Sequence, residues 1–108
     1  MAWLVRNGDV LASVEVADTF AARLRGLLGR DGIDGALLIT PAKSVHTFGM
    51  RFPIDVAFVD ETMTVIATCT LPPHRLSRTR WRARCVVEAE AGAFERWGLQ
   101  VGDSLEVK

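Results

Sequence analysis

Turn-forming residues interrupt this chain before any segment can grow into a long helix, and their spacing constrains the fold more than any other feature. Asn7-Gly8, Pro41, Pro53, Asp60, Pro72-Pro73, Gly92, Gly98 and Gly102-Asp103 mark successive breaks. The stretches between them are short and rich in β-branched residues, which is how strands read. AWLVR and VLASVEVA flank Asn7-Gly8, a pair that supplies the positive φ angles of a two-residue hairpin turn. In the second strand Val10, Ala12, Val14 and Val16 alternate with Leu11, Ser13 and Glu15, as in a sheet with one better-buried face.

The period then changes. In DTFAARLRGLLGRDG, Phe20, Leu24, Leu27 and Leu28 fall on one helical face, with Asp18 or Thr19 as cap and Gly29 as stop. Arg23, Arg25 and Arg30 lie off that stripe. ALLIT (Ala36 to Thr40) is a short apolar strand leading into the proline-bounded loop PAKSVHTFGMRFP. IDVAFVD and MTVIATCTL form a second hairpin, LPPHRLSRTRWR is irregular, and ARCVVEAEAG returns to a strand. AGAFERWGLQVGDSLEV closes with a helical turn, a glycine stop and a last strand. The sum is an α+β, predominantly β chain: a small barrel-like or rolled antiparallel sheet of about seven strands with two short helices.

The 108 residues suit one domain, 1–108, and 49% hydrophobic residues supply it with a core. Thirteen basic residues balance thirteen acidic ones, so overall charge gives no pull toward nucleic acid or an anionic membrane. No apolar run approaches the ~20 residues that span a bilayer. The opening MAWLVRNGD meets turn residues too early for a signal peptide, and a cytoplasmic location is expected. Cys69 and Cys85 belong to no CxxC pair and are expected as free thiols, and no cofactor is expected.

The GLLGR segment, the HTFGM and PIDVAFVD blocks and the terminal VVEAEAGAFERWGLQVGDSLEV together resemble the family known as domain of unknown function 192. Phe48, Met50, Pro53, Ile54, Asp55, Phe58 and Asp60 sit on the positions of that family's central block. Many relatives carry tryptophan before the methionine, where this chain has Gly49, leaving more room beside Met50. The resemblance implies a β-rich single domain and lends no established activity. The ending also resembles the FxxWGLxxGDxLEV cadence of small swapped-hairpin and double-psi barrels.

Chemistry concentrates between Val45 and Asp60. Asp55 shares a strand face with Ala57 and Val59, and a carboxylate on an apolar face must be paired or hydrogen-bonded. It can accept backbone N–H bonds from the loop before it and pin that loop, or it can orient His46 as part of an acid–base pair. His46 lies in a loop held by a sheet, where sites tend to be found. His46 and Met50 are also a metal pair if Cys69 or Cys85 completes the shell, although Met in such a place more often lines a pocket. Ser44 and Thr47 lack a nucleophile-elbow motif, and Cys85 points inward with Val87. Arg78, Arg80, Arg82 and Arg84 would share one face if that stretch is extended, with Arg75 nearby and Trp81 opposite, making either an anion-binding row or a charged edge strand. Trp3, Trp81 and Trp97 have no spacing that predicts a common face and read as core and rim.

The favoured reading is a binding or accessory domain that meets a small ligand or protein partner through His46, Thr47, Phe48, Met50 and Phe52, backed by Asp55. The alternatives are a hydrolase using His46 and Asp55, and a polyanion binder using Arg75 to Arg84. Neutral net charge counts against nucleic acid as the partner.

Overall fold

A computed structural model describes residues 1–108. Its strands are β1 (Ala2–Arg6), β2 (Asp9–Ala17), β3 (Ala36–Ile39), β4 (Ile54–Val59), β5 (Val65–Leu71), β6 (Cys85–Glu90) and β7 (Leu105–Val107). The helices are α1 (Phe20–Arg25) and α2 (Ala93–Trp97). The strands form one sheet in the order β5-β4-β6-β3-β2-β1-β7. All neighbours are antiparallel except β2 and β3, which run parallel because the chain crosses over through α1 between them.

The sheet curls into a half-barrel, and a bridge between Thr64 and Ser104 draws its two ends together. Val65 donates to the Asp103 carbonyl at 2.9 Å and Leu105 to the Met63 carbonyl at 2.8 Å, so much of the β5–β7 gap is stitched. The first hairpin turns at Asn7 (φ 52°) and Gly8 (φ 84°), the backbone signs that an Asn-Gly turn provides.

Strands β3, β4 and β6 are buried almost along their whole length, so both sheet faces carry apolar cores. The inner core draws Leu4, Val14, Leu38, Val59, Val87 and Leu105 from across the curl and is closed by Phe94 and Leu99. The outer core sets Ile39, Val56, Phe58 and Val86 against Leu27, Val45, Met50 and Phe52 from the covering segments.

Asp55 belongs to the inner side. One carboxylate oxygen accepts from the Thr70 hydroxyl at 2.7 Å. The other accepts from the backbone N–H groups of Gly92 at 2.9 Å and Phe94 at 3.2 Å. The segment that Asp55 pins is therefore the entry to α2, and not the proline-bounded loop that precedes it in sequence. A buried acceptor for two backbone donors is costly to remove, since both are left without partners. Asp55→Ala is expected to cost about 3 kcal/mol in urea unfolding, and Asp55→Asn less, because an amide oxygen keeps one acceptor. A loss under 1 kcal/mol for the alanine variant would show that these bonds do not hold α2.

The segment around α1 departs from the sequence expectation. Thr19 caps it, its side chain accepting from Ala22 N–H at 3.1 Å, but the helix stops at Arg25. Gly26, at φ 48°, turns the chain three residues before Gly29. Leu27 then drops into the outer core at 2% exposure, while Phe20 and Leu24 stay 73% and 64% exposed. The apolar stripe is thus split between core and surface.

Candidate functional site

The outer core is covered by two pieces, α1 with the turn after it and the loop from Pro41 to Pro53. The loop is tied down on its far side. Thr47, fully buried, donates its hydroxyl to the Pro72 carbonyl at 2.6 Å and accepts from Arg75 N–H at 2.9 Å. Val45 N–H donates to the Ser77 hydroxyl at 2.8 Å, and His74 Nδ1 accepts from Gly49 N–H at 3.2 Å. Those bonds fix the loop without filling the space between it and α1.

That space is a cavity of about 240 Å³, open to solvent on one side. Leu24, Leu27, Ile39, Val45 and Met50 give it apolar walls, with His46 and Ser44 along the loop side and Arg23 and Arg25 along α1. Glu88 of β6 also lines it. Glu88 lies mid-sheet, between Leu37 of β3 and Val56 of β4 in register. Its residue is 3% exposed, and no protein group donates a hydrogen bond to its carboxyl. Burial alone pushes its pKa up from 4.5 to about 7.

Among the residues singled out in the sequence, His46 and Met50 line this cavity. Phe48 stacks on the His46 ring with centroids 5.5 Å apart and an interplanar angle of 21°. Phe52 is packed in the outer core, and the Thr47 hydroxyl is engaged within the protein. Asp55 is on the opposite face of the sheet, with its oxygens committed to Thr70, Gly92 and Phe94, so the structure does not bring it to His46. The acid on the histidine side is Glu88. Alternation alone does not single it out, because it sets Glu88 on a face with both Val86 and Glu90. The available signal was that Val86 shares the face of Glu88, on a strand bounded by apolar neighbours.

The remaining candidates are dispersed. Cys69 and Cys85 are free, burial pushes both thiols up, and neither lines the cavity with His46 and Met50. No group of three or more His, Cys, Asp or Glu side chains is placed to share a metal ion. Residues 78–84 are not an extended row: the chain turns at Trp81–Arg82, and Ala83 N–H donates to the Arg80 carbonyl at 2.9 Å. Arg80 folds back over the Phe58 ring at 5.8 Å, and Arg84 pairs with Glu61 at 3.4 Å. The Arg82 charge helps hold the Asp60 carboxyl low, after the larger effects of hydrogen bonds from Thr62 and Thr64. Trp97 packs on Phe94, whereas Trp81 is 76% exposed.

The family model of DUF192, described as uncharacterized ACR, matches residues 3–107. The chain belongs to the DUF192 family. A UPF0127 protein of Pyrococcus abyssi is 33% identical over 98 residues, covering 86% of this chain and 84% of that protein. A UPF0127 protein of Pyrococcus furiosus is 30% identical over 108 residues, covering 95% and 93%. A crystal structure of a protein of unknown function from Novosphingobium aromaticivorans superposes with a TM-score of 0.82 at 19% identity. That match covers 97% of this chain and 82% of the other, and it shows a shared fold. In this DUF192 chain the position before Met50 is Gly49, at φ 77°, with Leu28 the nearest side chain to where a Cβ would stand (3.5 Å).

Glu88 has a consequence for stability. Its folded-state pKa lies above its unfolded value, so between these values the folded protein holds more protons than the unfolded chain. Stability therefore falls as pH rises from about 4.5 through about 7 and is flat above, by roughly 3 kcal/mol in all. Glu88→Gln should remove most of that slope in denaturant unfolding measured across this pH range. Parallel profiles for the two proteins would mean that Glu88 is solvated.

Proposed function

We propose that this chain is a small-ligand-binding domain and that its site is the cavity between α1, the Pro41–Pro53 loop and β6. One observation carries the reading: Glu88, a residue only 3% exposed, has no donor in the protein, and its carboxyl opens into the cavity. A carboxyl that no protein group serves is left to the solvent of the cavity, and a ligand donor is the direct candidate to take that place. The cavity is concave and joins an aliphatic wall to a set of polar and charged side chains, a combination that small-molecule sites use. The exposed Leu24, Leu28 and Phe48 extend its apolar character outward toward an entering ligand.

Hydrolysis is less well supported. Ser44, His46 and Glu88 line the same cavity, but no hydrogen bond joins any two of them. A nucleophile needs its base within hydrogen-bond reach, and the base needs an orienting partner.

The test is a fragment screen by methyl NMR. Binding fragments should shift the methyl signals of Leu27, Ile39, Val45 and Met50 together, and Ala42→Leu, which adds bulk to the cavity wall, should abolish those shifts with the fold intact. Hits that perturb the inner core, or that persist unchanged in Ala42→Leu, would place binding elsewhere.

A further inference from the structure

The reading of the cavity as a ligand site leaves open which ligand chemistry Glu88 selects. We propose that the cavity takes a primary alkylamine group, with the ammonium set against Glu88 and the alkyl chain along Leu27, Ile39 and Met50. This inference rests on the cavity reading and narrows it.

The sheet register shows why Glu88 has to look outward for a partner. A single row runs across five strands on the outer face: Glu15, Leu37, Glu88, Val56 and Cys69. Glu88 is at the centre, with Leu37 and Val56 on either side offering only hydrocarbon. Glu15 is two strands away and is paired with Arg30 at 2.8 Å. On the covering elements, α1 contributes Arg23 and Arg25 and the loop contributes His46. None of them donates to the Glu88 carboxyl, and Arg25 and His46 are exposed. Arg23 reaches back to the Asp18 carbonyl at 3.5 Å. The inner end of the cavity, at buried Glu88, is therefore acidic and aliphatic, while Arg25 and His46 are exposed and Arg23 is half-buried along α1.

A hydroxyl or amide could donate to a protonated or ionised Glu88 through one neutral bond. An ammonium brings up to three donors and a full charge, and charge-assisted bonds are about twice as strong as neutral ones. Beside a buried carboxyl that difference grows, because water screens it less. The aliphatic walls then favour a cation carried on a hydrocarbon stem over a strongly hydrated small ion. A carboxylate ligand would meet Glu88 with like charge, and is excluded from the inner end.

The linkage has a definite sign. An ammonium ligand stabilises ionised Glu88, so binding is strongest where the carboxyl is already ionised and the amine still protonated, above about pH 7.5 and below about pH 10. Below pH 7 the ligand must displace a proton, and affinity falls by up to about tenfold per pH unit.

The experiment is a methyl-NMR titration of the full chain with n-hexylamine, 1-hexanol and hexanoate, read at Leu27, Ile39 and Met50 at pH 6, 7 and 8. We expect n-hexylamine to bind at least about tenfold tighter than 1-hexanol at pH 8, to weaken toward pH 6, and hexanoate to bind least. In Glu88→Gln, which keeps the shape of the side chain, n-hexylamine should fall to the level of 1-hexanol, while 1-hexanol changes little. Wild-type calorimetry at pH 7 in two buffers of different ionisation heat should show proton release with n-hexylamine, a readout that needs no variant. Equal binding of n-hexylamine and 1-hexanol, with no proton release, would overturn the amine assignment and leave the cavity reading standing. Failure of all three probes to move the cavity methyls would overturn both.

Discussion

Burial of β3, β4 and β6 on both faces is the constraint from which the rest of this structure follows. A sheet whose central strands are apolar on both sides needs two covers, and this chain has few residues with which to make them. The inner cover comes from the sheet itself, which curls until Thr64 meets Ser104, with α2 closing the remaining opening. The outer cover is improvised from a six-residue helix and a proline-bounded loop. Each cover is held by one buried polar side chain from which backbone bonds fan out: Asp55 for α2, Thr47 for the loop. Irregular covers do not pack a sheet as fully as a long helix, and the 240 Å³ cavity is what remains.

Glu88 gives that space its meaning. A leucine at the same position would continue the Leu37–Val56 row and complete an ordinary core. A carboxyl there instead lowers stability at neutral pH, and its pKa of about 7 leaves it ready to hold or release a proton under ordinary conditions. Natural sequences place such groups where a function offsets the cost. Asp55 is the instructive contrast within the same sheet. It is equally buried, yet three donors satisfy it, and it has nothing left over for a ligand.

Much of the fold was legible because it depends on local signals. Asn7-Gly8 set the first hairpin, Asp60 and its neighbours the second, and glycines 98 and 102 the last turn. The parallel β2–β3 pair was not legible, since strand direction depends on where the α1 crossover docks. Met50 and His46 were found at the candidate site because the loop carrying them is bounded by prolines and stands out in composition. Asp55 was correctly expected to be buried and bonded, but its partners lie 37 and 39 residues away in sequence, beyond any local pattern. Glu88 was missed for a related reason. A strand period tells which residues share a face, and only the path of the loop and α1 decides that the face of Val86 and Glu88 is covered. The arginine row failed because alternation presumes an extended strand, and the chain turns at Trp81–Arg82.

The site proposed for the cavity depends most directly on the ionisation of one side chain. Carbon-13 NMR of the Glu88 carboxyl, assigned by comparison with Glu88→Gln and followed from pH 4 to pH 9 in the folded protein, would report it alone. The expected midpoint is near 7, and it should shift downward when a primary alkylamine is added. A midpoint near 4.5 would mean that the carboxyl is well solvated or paired, and would remove the reason for placing a ligand site against it.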